Sequence, residues 1–202
     1  MRTHKVLAAG AALLALALVC LTAGQAADEK DMKDKLDKLV KTGTDKPADV
    51  EKAGADFAKA NKIDNESIKD VMDFLGKRDP KKPNEAWGIG KTPGDIKPDG
   101  IELKLREMAK KALSKAQLAK EQDALAEIGA RTRAIGSISL ASPPKKALPG
   151  KDPKDWKKWS EDMIKASAEF DKAVKGGKPN DIKDAATKLN SSCVDCHGTF
   201  RD

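Results

Sequence analysis

An apolar stripe between residues 152 and 177 constrains this chain most. Trp156, Trp159, Met163, Ala166, Phe170 and Ala173 follow one another at intervals of three, four, three, four and three residues. Those intervals place all six side chains on one face of an α-helix. A seven-residue repeat is also the pattern of helices lying side by side. Both ends are marked. Asp152-Pro153 supplies an N-cap followed by proline at the first helical position, Asp155 suits the positive end of the helix dipole, and Gly176-Gly177 stops the helix. A helix of about 20 residues spans about 30 Å, and its apolar face needs partners.

Three partners can be read nearby. Ile101, Leu105, Met108 and Ala112 form a stripe, with Asp99 as an expected N-cap and Glu102 as its reciprocal partner. Leu118, Leu125, Ile128, Thr132 and Ile135 form another, ahead of a loop with Pro143, Pro144 and Pro149. A last helix starting near Asp181 carries Ile182, Ala186, Leu189, Cys193, Cys196 and Phe200 on one face. Four amphipathic helices with short links and no strand signal predict an all-α fold, an antiparallel four-helix bundle. Composition agrees: 3% aromatic residues and no tyrosine do not suit the strands of a sandwich or barrel. A hydrophobic fraction of 39% excludes full disorder.

Upstream, residues 28–76 read as short helices. Met32, Leu36, Leu39 and Val40 recur at helical spacing, then Val50, Ala53, Phe57 and Ala60, then Ile68, Val71, Met72 and Leu75, with Gly76 as a stop. Pro80, Pro83, Pro93 and Pro98, with Gly88, Gly90 and Gly94, keep 77–98 non-helical. The chain therefore divides into a leader (1–26), a helical extension and Pro/Gly-rich loop (27–98) and the bundle (99–202). The leader has Arg2 and Lys5, an uncharged apolar run over 6–23, and small residues at Gly24 and Ala26 suited to signal-peptide cleavage. It predicts a periplasmic or secreted protein, or a membrane-anchored one if the run is retained. Lipoprotein processing at Cys20 is disfavoured by Val19 before it.

Cleavage removes Arg2 and Lys5 and no acid, so the formal charge falls from +7 to +5. Lysines alternate with acids along the chain, as on solvated helix faces, and lack interleaved aromatics, so nucleic-acid binding is not expected. Cleavage also removes Cys20 and His4, leaving Cys193, Cys196 and His197 as the mature cysteines and histidine.

Cys193-Val194-Asp195-Cys196-His197 is C-x-x-C-H, the pattern of covalent c-type haem attachment. On a helix both thiols project from one side, able to form thioethers to the two haem vinyl groups, and His197 reaches the iron. Competing readings fail on counting. A structural zinc site needs four N or S ligands, a redox dithiol belongs at a helix start among strands, and a disulfide across two helical residues is strained.

The segment Cys193-Val194-Asp195-Cys196-His197-Gly198-Thr199-Phe200-Arg201 resembles C-x-x-C-H-x-x-[FY]-R, the C-terminal signature of the class II c-type cytochromes. These are cytochrome c′ and its methionine-ligated relatives. The resemblance covers about residues 99–202, and the extension lies outside it. It implies one covalent haem c, with thioethers from Cys193 and Cys196 and His197 as the axial iron ligand. Phe200 continues the inward stripe and is expected to pack on the haem, while Arg201, four residues after His197, either lies near the proximal ring or a propionate or stays solvated.

The sixth iron position decides between two functions. In this family it faces the first bundle helix, where Leu105 and Met108 are the candidates. Met32, Met72 and Met163 are the other methionine candidates, with Met108 the best placed because it lies on the apolar stripe of that helix. Ligation by Met108 would give a six-coordinate electron carrier serving a redox partner protein. A non-ligating apolar side chain there, the outcome expected, would leave iron five-coordinate and open to NO or CO. No distal histidine or acid–base pair points to an enzyme. A homodimer is compatible with the resemblance. Trp87, in its Gly/Pro loop, is expected to anchor the extension by packing, with a lid over the haem edge as the alternative.

Overall fold

A computed structural model describes residues 30–82, 84–144 and 151–200. The leader, with its cleavage site and Cys20, lies outside the described residues, as does Arg201. The helices are α1 (30–45), α2 (Val50–Ala60), α3 (Ile68–Met72), α4 (Ile101–Lys110), α5 (Lys115–Ala141), α6 (Pro153–Gly176) and α7 (Pro179–Phe200). Among the described residues there is no strand. None of their helices is long and apolar enough to cross a membrane.

The bundle of α4–α7 is present. α5 packs on α6, α6 on α7 and α4 on α7. Cross-helix bonds give the directions. Thr132 meets Ser167 at 2.8 Å, Ser139 meets Ser160 at 3.0 Å, and Gln122 Nε2 donates to Val174 O at 3.3 Å. Rising numbers on α5 match falling numbers on α6, so the two run antiparallel. α6 starts as expected, with the Asp152 carboxylate accepting from the Lys154 N–H and Pro153 in its first turn. It ends on Gly177 in the left-handed region at φ 67°, which glycine adopts without a Cβ penalty.

α5 extends beyond the predicted stripe because Gly129, Gly136, Ser137 and Ser139 are buried on it. A Cβ on Gly136 would lie 3.0 Å from Ile164 Cγ1, so α6 approaches closely. α2 covers the opposite side of α5, where a Cβ on Gly54 would collide with the Ser137 side chain. Over 132–139, where α5 is buried on every side, no polar face is left to reveal its period.

One expected cap is displaced. Gly100, not Asp99, is the N-cap of α4, and it makes no side-chain cap bond. Asp99 instead holds Arg78, whose Nη2 and Nε lie 3.1 and 3.2 Å from its carboxylate oxygens. The Ile89 and Gly94 N–H groups donate to the same carboxylate at 2.7 and 3.0 Å. A guanidinium this buried requires a partnered counter-charge, and that need outranks a helix cap.

Trp87 is a packing anchor. Its Nε1 donates to Asp37 Oδ1 at 2.7 Å, its ring lies 5.5 Å from that of Phe74, and the Arg131 guanidinium sits over it at 5.5 Å. The loop is thereby joined to α1, to the segment after α3 and to α5. Leu36, Phe57, Val71 and Trp87 of the extension share one apolar cluster with Leu105, Ile135, Phe170 and Leu189 of the bundle. The chain boundary near residue 98 is a loop, not a gap in the core.

Candidate functional site

The site forms where α7 ends. Ile182, Ala186 and Leu189 bury one face of α7 against the bundle. The same period carries that face on to Cys193, Cys196 and Phe200, all partly buried. Because α4 runs antiparallel to α7, its first turn reaches the motif, and Thr187 near the other end of α7 meets Ala109 O at 3.5 Å.

Two adjoining hollows lie at the motif. The larger has a volume of about 670 Å³, within the roughly 300–1,000 Å³ range of ligand pockets. Cys196, His197 and Phe200 line it from α7, Trp156 from α6 and Glu102 from α4. Ile68, Lys69 and Met72 of α3 supply a further wall. The Trp156 and Phe200 rings meet edge-to-face at 5.1 Å, and Trp156 Nε1 donates to Ser139 O at 2.7 Å, fixing that corner. The smaller hollow, about 20 Å³, reaches Cys193 and is lined by Trp159, Met163 and Leu75. Met72, Glu102, Cys196 and His197 line both.

No disulfide joins the two cysteines. Burial pushes the Cys193 thiol up to about 12, with the Glu102 carboxylate adding to it, and burial pushes Cys196 up to about 11. A dithiol redox centre works through a depressed thiol pKa, so this environment opposes that reading. Among the described residues, no three His, Cys, Asp or Glu side chains cluster as donors for a metal ion.

The residues fit covalent haem. Two cysteines three residues apart and one imidazole open onto contiguous hollows whose aromatic and aliphatic walls are interrupted, in the larger one, by Asn65, Glu66, Lys69, Asp73 and Glu102. The indole Nε1 of Trp159 is buried without a partner beside Cys193, an unspent donor at the same place.

The sequence-predicted residues divide. Cys193, Cys196, His197 and Phe200 come together. Leu105 and Met108 do not join them: each is 1% exposed and neither lines either hollow. The reason is register. Glu102 is level with the motif, so Leu105 and Met108 lie one and two turns deeper, in the core. Sequence reasoning looked to Leu105 and Met108 of α4 and missed Glu102 of the same helix, which lines both hollows, and Ile68, Lys69 and Met72 of α3, which wall the larger one. The signals in the sequence were that Met72 belonged to a helical stripe and was one of the four methionines that could reach the sixth position.

Residues 103–201 match the family model of cytochrome c′. No curated protein and no solved structure matches the chain. The matched half of the chain belongs to the class II c-type cytochromes.

Proposed function

From the premise that residues 103–201 form a cytochrome c′-family bundle, we propose that the chain is a periplasmic or secreted mono-haem electron-transfer protein. Cys193 and Cys196 would hold a haem as thioethers, and His197 would ligate its iron. The observation that carries this reading is the convergence of both thiols and the imidazole on contiguous hollows, the larger open to solvent. When bound, the group supplies reversible one-electron chemistry. The chain's own residues do the rest. Trp156 and Phe200 exclude water from one side, Cys196 fixes the orientation, and the open side of the cavity offers an edge to a redox partner.

One observation favours a second reading, reversible binding of NO or CO: the apolar side chains of Ile68, Trp156 and Phe200 on the cavity wall. Small gases lose little hydration on entering such a site, whereas hydrated anions lose much. The iron's coordination separates the two, a six-coordinate low-spin centre for the carrier and a five-coordinate high-spin centre for the gas binder.

Intact-mass measurement of the mature protein tests the haem assignment. One haem added per chain and retained through acid-acetone extraction is expected. Haem that extracts freely would overturn it. Cys193→Ala combined with Cys196→Ala removes the covalent group.

A further inference from the structure

We infer that Met72, carried by the N-terminal extension, is the sixth ligand of the haem iron. The inference rests on the haem reading above and adds a role for the extension.

Of the four methionines downstream of the leader, Met108 is buried in the core away from the hollows, and Met32 packs from α1 against the core. Met163 lines the smaller hollow alone. Met72 is the methionine that lines both hollows together with His197. α3 packs on α5, and the 670 Å³ cavity lies between α3 and the end of α7. A group held from α7 therefore presents its free side to residues outside α7, and α3 supplies one of those walls.

Local packing around Met72 supports a use beyond filling space. Its neighbours Ile68, Val71, Phe74 and Leu75 are 4%, 0%, 4% and 3% exposed. They anchor the segment. Met72 is only partly buried and borders the cavity. A long unbranched side chain left at a cavity wall by a firmly anchored segment is available to the occupant.

Chemistry selects Met72 among the donors on the same wall. A thioether is neutral and coordinates iron without losing a proton, and it is an established partner of histidine on haem. Lys69 would have to deprotonate first. Asn65, Glu66 and Asp73, which also line the cavity, are hard oxygen donors poorly matched to haem iron opposite imidazole.

The test uses the full mature holoprotein and its single variants Met72→Leu, Met108→Leu, Met163→Leu and Lys69→Ala. The readouts are the ferric absorption spectrum and the proton NMR spectrum of the ferrous form. Wild type should be low-spin, with the far-red charge-transfer band of Met-ligated iron and one strongly upfield methionine methyl signal. Met72→Leu should lose both and become high-spin, while the other three variants keep them. Retention of the band in Met72→Leu overturns the inference, as does its loss in Met108→Leu or Met163→Leu. A wild type without the band and without the methyl signal overturns it too, whether or not Met72→Leu matures. Failure of the haem reading is distinct: wild-type intact mass would then show no covalent haem.

Discussion

Lys104 Nζ lies 2.7 Å from Glu121 Oε2, an ion pair between α4 and α5 with side chains 2% and 10% exposed. Lys104 also donates to Lys97 O at 3.0 Å, which ties the loop before α4 into the same contact. Neither charge can return to water while the bundle is closed. Removing one partner strands the other, at about 3–5 kcal/mol, whereas an apolar pair of similar volume is close to neutral. Glu121→Ala should therefore lower unfolding stability by about that amount. The Lys104→Met, Glu121→Leu double variant should recover most of it. Urea titration of wild type, Lys104→Met, Glu121→Leu and the double variant measures the cycle, and a double-variant loss equal to the sum of the two single losses would show that the pair is not coupled.

The Arg78–Asp99 clasp makes the extension acid-sensitive. Burial raises the Asp99 carboxyl, but the hydrogen bond from Arg78 and those from the Ile89 and Gly94 N–H groups outweigh it, so its pKa falls below the ordinary value. A carboxyl depressed in the fold adds stability that is present above its unfolded pKa of about 3.9. That stability is lost as pH falls through the folded value. Melting temperature followed from pH 7 downward should drop more below about pH 4 in wild type than in Asp99→Asn. At neutral pH the variant should be the less stable, by about 3–5 kcal/mol, because Arg78 is left buried and unpaired.

Much of the bundle is legible in the sequence because its information is local. The α6 stripe, Asp152, Pro153 and Gly177 each act within a few residues of where they stand. The motif at Cys193, Cys196 and His197 likewise needs only helical spacing to be read. What escaped depends on partners far along the chain. Asp99 looks like a cap until Arg78, 21 residues away, claims it. Lys104 looks like a solvated lysine until Glu121 buries it. Met72 stands in an ordinary short stripe, and only the folding of α3 onto α5 brings it to the motif 121 positions later. A five-residue helix carries too few apolar positions to declare which neighbour it faces.

Docking of the extension can be probed at Gly54. A Cβ there would collide with Ser137 on α5, so the α2–α5 contact depends on the absence of a side chain. The α5 side cannot yield easily, because Ser137 is 1% exposed and its hydroxyl donates to Ala134 O at 2.7 Å. Gly54→Ala should cost about 1–3 kcal/mol through overpacking, despite the better helix propensity of alanine. Adding Ser137→Gly should restore part of the loss. Thermal unfolding followed by circular dichroism gives both values, and a stabilised Gly54→Ala would mean that α2 does not sit where the structure places it.

The motif cysteines give the sharpest chemical prediction, because their environment differs from that of most reactive thiols. Thiolates, not thiols, attack alkylating reagents, and an unperturbed cysteine titrates near about 8.5. In the folded chain, burial moves Cys193 to about 12 and Cys196 to about 11. At pH 8 the Cys193 thiolate population therefore falls on the order of a thousandfold below that of an exposed cysteine. Haem-free chain treated with iodoacetamide at pH 8 should be alkylated slowly at both positions. In urea, where burial is lost, both should react at the rate of a free thiol. Cys196 should be the faster of the two in the native chain, since its shift is the smaller and it lines the larger, open cavity. Peptide mass mapping after a timed quench resolves the two sites. Equal rates with and without urea would show that the last turns of α7 do not hold the thiols against the bundle. The cavity would then have to be shaped by its occupant rather than built in advance by Trp156, Phe200 and α3.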